Sequence, residues 1–148
     1  MNPMTPSRTT ITALLLVAFL GLPIGTVHAQ SEVNLPDTQT YQGIQYITGG
    51  IGSEESEGLL ALGKTWPLTL EFSQDHPQRP LWVADVSVKI TDAKKKVVFE
   101  AMSDGPILLV KLAPGKYDGE FAYEGKVLKR PVLVEDGKFI KQSIVWPR

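Results

Sequence analysis

Alternation of apolar and polar residues dominates the chain from Trp66 onward. Trp66, Leu68, Leu70 and Phe72 alternate with Pro67, Thr69, Glu71 and Ser73. Trp82, Ala84, Val86, Val88 and Ile90 alternate with Val83, Asp85, Ser87, Lys89 and Thr91, so Asp85 is expected mid-strand and facing outward. A period of two sends successive side chains to opposite faces, so each run predicts a strand with one buried face. Further short apolar runs follow at residues 97–102, 107–112, 116–124, 127–134 and 139–146. The segments between them, "DAKKK", "SDGP", "APG", "EGK" and "EDGK", hold Gly, Pro and Asp, residues suited to turns that need a fixed or positive φ. The pattern predicts an all-β fold, an antiparallel β-sandwich of about seven strands. Pro131 lacks an N–H, which places its strand at an edge or a bulge.

The segment before Trp66 has a different rhythm. Tyr41–Thr48 reads as a strand, and "TGGIGS" (Thr48–Ser53) as a glycine-rich connection. Ser53 is expected to cap a short helix whose first turn carries Glu54, Glu55 and Glu57, acids that suit the positive end of the helix dipole. Leu59, Leu60 and Leu62 then face the core, and Gly63 ends the helix. Tyr46, Gly49, Gly50, Gly52 and Ser53 form a candidate binding segment, because three glycines before a helix can make an anion-binding nest. The competing reading is a tight connection needing positive φ, favoured by the glutamates that follow and by the lack of nearby Lys or Arg.

"GLLALGKT" (Gly58–Thr65) matches the phosphate-loop pattern G-x-x-x-x-G-K-[ST] letter for letter. A phosphate loop needs a strand before the first glycine and a helix after the Lys-Thr. Here helix-forming residues come first and a strand follows. Acids at 54, 55 and 57 would repel a triphosphate, so nucleotide binding is not expected.

Composition narrows the remaining chemistry. The first residues combine Arg8, an uncharged stretch from Ile11 to Leu22, the helix breakers Pro23 and Gly25, and small residues Val27 and Ala29 before Gln30. That order is a secretory signal, residues 1–29, cleaved to release a periplasmic or secreted product. Twelve helical residues span about 18 Å, short of a ~30 Å hydrocarbon core, so no transmembrane anchor is expected after cleavage. Residues 30–40 read as a flexible leader and 41–148 as one domain: 41–64 the glycine-rich loop and helix, 65–148 the strand core.

The processed chain keeps 16 acidic and 14 basic residues, a charge of −2. That balance argues against nucleic acid as a partner. With no cysteine and one histidine, His76, left after cleavage, neither disulfides nor a zinc or copper cluster is available, and no cofactor is expected. A hydrolase built on Ser73 or Ser103 with His76 stays open, though no nucleophile elbow accompanies them. Tyr41, Tyr46, Trp66, Trp82, Tyr117, Tyr123 and Trp146 can pack in a core or, displayed on an edge, stack on sugars or anchor a protein.

The stretch "SDGPILLVKLAPGKY" (Ser103–Tyr117) resembles the carboxypeptidase regulatory-like domains, also described as prealbumin-like or transthyretin-like. In those domains a glycine-containing turn opens a strand ending in leucine, followed by P-G-x-Y. Asp104, Gly105, Leu112, Pro114, Gly115 and Tyr117 fill those places as turn and corner residues. The resemblance spans roughly Leu81 to Val145, while Tyr41–Lys64 has no counterpart. It implies an Ig-like or prealbumin-like sandwich that works as a non-enzymatic module, of a kind found attached to peptidases, adhesins and surface proteins, with some starch-binding relatives. Together these readings point to an exported binding or interaction module whose partner is another envelope protein or a glycan. A carbohydrate-binding module using exposed aromatics and a small hydrolase are the alternatives.

Overall fold

The computed structural model describes residues 33–148, and the secretion signal read at 1–29 lies outside them. Ten strands and one helix follow in order: β1 (Gln39–Tyr41), β2 (Ile44–Gly49), α1 (Ser53–Gly63), β3 (Leu68–Gln74), β4 (Leu81–Trp82), β5 (Val86–Thr91), β6 (Val97–Ser103), β7 (Ile107–Val110), β8 (Gly115–Tyr123), β9 (Lys126–Val134) and β10 (Ile140–Trp146). They form a sandwich of two sheets. The larger sheet runs β1-β2-β7-β3-β10, with β4 also paired to β3; the smaller runs β6-β5-β8-β9. All pairings are antiparallel except β3 with β10, which run parallel. The strand count exceeds seven partly because β1 and β4, three and two residues long, are too short to leave a periodic trace. Gln39 and Thr40, in the segment read as leader, belong to β1.

Two clusters fill the interior. Between the sheets lie Leu68, Leu70 and Phe72 of β3 with Val86, Val88, Ile90, Phe99, Phe121, Ile144 and Trp146. On the other side of the larger sheet, α1 closes a second cluster of Ile47, Leu59, Trp66, Ile107 and Leu109. β3 and β7 are therefore buried on both faces. This corrects the expectation of one buried face for the run from Trp66: Thr69 and Ser73 are buried, and the Thr69 hydroxyl points toward the Gly63 carbonyl of α1. It also explains "ILLV", whose four residues are all buried because alternate ones serve different clusters.

A second correction concerns residues 82–91. They are not one strand. β4 ends at Trp82, Asp85 takes φ +58°, and β5 begins at Val86 in the other sheet. The positive φ turns the chain between sheets and shifts the side-chain parity, so Trp82 is exposed and Val83 is buried, the reverse of the expected alternation. Asp85 is exposed, as expected, but it forms the corner of that crossover and does not lie within a strand.

Two hairpins, β1–β2 and β8–β9, turn through Gln42-Gly43 and Glu124-Gly125, each pair with both φ values positive. Such turns match the right-handed twist of the strands they join. β9 is an edge strand, as Pro131 required.

Candidate functional site

The two glycine-containing motifs singled out in the sequence meet in space. β2 pairs with β7 so that Gly49 lies opposite Ile107, which brings "TGGIG" against "SDGP". The Asp104 amide donates to Thr48 Oγ1 at 2.8 Å, and Ser103 Oγ donates to the Gly105 carbonyl at 2.8 Å. With that proton committed, Thr48 Oγ1 donates to Ser103 Oγ across 2.9 Å, completing a directional buried chain. Gly105 has a steric reason to be glycine: a Cβ there would sit 2.1 Å from the Gly49 carbonyl oxygen.

The glycine-rich nest already holds an anion. Glu55 Oε1 accepts the Gly50 amide at 2.7 Å and the Ile51 amide at 3.3 Å. Gly50 and Gly52 have φ of +96° and +91°, which bends the loop around that carboxylate. Ser53 does not cap α1. Gly52 occupies the cap position without a side-chain bond, and the Ser56 hydroxyl donates to the Ser53 carbonyl. Glu55 reaching back to the loop amides replaces the expected serine cap. Lys64, the lysine of "GLLALGKT", follows the helix and is exposed. Tyr46 is half-buried, its ring edge-on to Phe99 at 5.2 Å and its hydroxyl on Gln39.

At the other end of the P-G-x-Y motif, Tyr117 Oη donates to the Ala113 carbonyl at 2.7 Å, clamping the Pro114-Gly115 turn. Partial burial, with Asp92 nearby, raises the Tyr117 pKa and keeps that hydroxyl protonated and donating. Leu112 is buried in the main core.

The serine–histidine pairing is not assembled. Ser103 is fully buried and bonded as described, and His76 Nδ1 has no hydrogen-bond partner. Among the described residues no group of three or more His, Asp or Glu is placed to hold a metal ion. Trp66 and Trp146 are buried, Trp146 donating its Nε1 proton to the Lys126 carbonyl at 3.0 Å. Trp82 is 49 % exposed beside Leu81, Arg79 and Pro80.

An open apolar surface lies where the sheets end side by side, at β9 and β10. A cleft of about 710 Å³ is lined by Tyr117, Pro131, Val132, Leu133, Ile140 and Gln142, with Lys116 and Lys141 at hand. Leu133 is 43 % exposed, and Phe139, just before β10, is 60 % exposed. Gln142 Nε2 donates to the Pro131 carbonyl at 3.0 Å and ties the two edges together. The sequence reading missed this surface. Its trace was the loss of alternation at Val132-Leu133-Val134 and the apolar pair Phe139-Ile140 right after a turn.

No protein-family model matches the chain, and no curated protein matches it.

Proposed function

We propose that the protein is an exported β-sandwich that acts by binding another envelope protein, without catalysing a reaction. The observation that carries this reading is the open apolar cleft at β9–β10, where Leu133 presents to solvent a side chain that a core would normally hide, with Phe139 exposed in the neighbouring groove on the helix side of β10. The charge and apolar order of residues 1–29 supports export, and the likeness of Ser103–Tyr117 to carboxypeptidase regulatory-like domains supports a module that works by attachment. The test is capture from an envelope extract with the processed protein. A specific partner retained by the wild type and lost in the Leu133→Asp, Phe139→Asp double variant supports the reading. Turnover of a substrate by the purified protein sinks it.

A second reading rests on Trp82, whose exposed ring beside Leu81 and Pro80 offers a face on which a sugar can stack. Glycan binding that disappears in Trp82→Ala and survives Leu133→Asp would favour this site over the cleft.

A further inference from the structure

The edges of the two sheets at the cleft differ in kind. In the two-residue hairpin Tyr123 pairs with Lys126, so even-numbered residues of β9 turn their backbone groups toward β8 and odd-numbered ones turn outward. That outward row is blunted. Pro131 has no N–H to offer, its carbonyl is taken by Gln142, and the Lys129 carbonyl is taken by Arg130 Nη1 at 2.9 Å.

β10 has no such cover. The Ile140 amide donates to the Pro67 carbonyl and the Trp146 carbonyl accepts from Asp75, so even-numbered residues of β10 face β3. Lys141, Ser143 and Val145 therefore turn their N–H and C=O groups to the open side, where β10 has no neighbouring strand. The remaining edges offer less. β1 is three residues long, and β6 lies across from β1 and β2, with Tyr41 and Tyr46 against its Phe99.

Two apolar grooves flank β10, one on each face of the larger sheet, and both include Ile140 and Lys141. On the side between the sheets is the cleft with Tyr117, Val132 and Leu133. On the helix side, a groove of about 310 Å³ runs past Leu60, Gly63, Lys64, Thr69 and Phe139. A strand added to β10 sends alternate side chains to opposite faces, so one row enters each groove while the backbone extends the sheet. The charge around both grooves is basic. Lys64 and Lys116 form no ion pair among the described residues, Lys141 reaches Glu71 yet is 58 % exposed, and the one acid on the lining, Asp118, is held by Lys95.

We infer that the free edge of β10 takes an extended, acid-bearing segment of the partner protein as an additional strand of the larger sheet. This rests on the interaction-module reading and specifies how the partner is held.

The experiment pans a display library of random twelve-residue peptides on the protein produced from the full-length chain, then measures each enriched peptide by fluorescence anisotropy. The expected peptides alternate β-branched or aromatic residues with other residues and carry at least one Asp or Glu. Ser143→Pro removes the central outward N–H without touching the bonds to β3, and should weaken binding at least about tenfold. Val145→Lys, on the same edge, should do likewise and serves if the proline variant does not fold. In Lys64→Glu, Lys116→Glu the preference should turn from acidic peptides to their lysine-substituted counterparts. Undiminished binding to both edge variants, or enriched peptides without acids, overturns strand addition. The interaction reading then survives only if Leu133→Asp still abolishes binding. No enrichment, or binding unchanged in all variants, overturns both.

Discussion

Gly105 and Tyr117 both belong to the stretch that carried the family resemblance, and their neighbourhoods give them different weights. A methyl group on Gly105 meets backbone, the Gly49 carbonyl at 2.1 Å, and backbone in a paired strand cannot step aside. Gly105→Ala should therefore destabilise by about 3 kcal/mol or more, measured by denaturant unfolding. Tyr117→Phe removes one exposed hydrogen bond to Ala113 and should cost about 1 kcal/mol. Equal losses in the two variants would contradict this ranking. Glu55 is the third residue of consequence. It holds the Gly50 amide with a charge-assisted bond, so Glu55→Ala should speed hydrogen exchange at Gly50 and cost about 1.5–3 kcal/mol. A phosphate-binding nest would instead tighten for anions in that variant. Unchanged exchange at Gly50 would mean that the carboxylate does not hold the loop.

At the scale of elements, much was legible in the sequence because periodicity reports on one strand at a time. The runs in β5, β8 and β10, the turn pairs and the helix with its Gly63 stop were all visible. What stayed hidden depends on a second partner. Thr69 reads as an outward residue because nothing in "WPLTLEFS" reveals that α1 folds over that face, and Ser73 because nothing there shows that β4 and β10 pair on either side of it. The break at Asp85 was masked because Trp82 and Ala84 happen to keep the parity of β5, while the chain at Asp85 takes a positive φ and changes sheets. The joining of Thr48 to Ser103 and Asp104 spans more than fifty residues of sequence, beyond the reach of any local pattern. The element-scale prediction follows from the crossover. Asp85→Gly removes the side-chain strain of positive φ and should leave stability unchanged or raised by under about 1 kcal/mol, whereas Asp85→Val should destabilise. A neutral Asp85→Val in thermal unfolding would deny the corner its conformational demand.

For the whole molecule, the outer face of the smaller sheet links its strands by charge. Glu120 of β8 lies between Lys89 of β5 at 3.2 Å and Lys129 of β9 at 3.7 Å. The hydrogen bond and charge of Lys89, with help from Lys129, hold the Glu120 carboxyl below its ordinary value of 4.5. A carboxyl whose pKa is lowered by folding adds stability above its unfolded value and loses it as pH falls through the folded one. Stability should accordingly decline below about pH 4.5, and Glu120→Gln should flatten that part of the profile in thermal scans from about pH 6 to about pH 3. Identical acid limbs for wild type and variant would remove Glu120 from the account.

The parallel pairing of β3 with β10 also governs how the molecule comes to be folded. Leu68 meets Ile140 and Gln74 meets Trp146, partners about seventy residues apart along the chain. Loops of that length must close before the central strand has both neighbours, and contacts of such separation make for slow folding. Until β10 arrives, Phe72 and the Leu68–Leu70 face lack Ile144 and Trp146 as cover. The hairpins on the other sheet can form early, yet the larger sheet stays incomplete to the end. The apolar face of β3 therefore stays uncovered until the last strand docks, and a chain lacking β10 would present that face to proteases and chaperones.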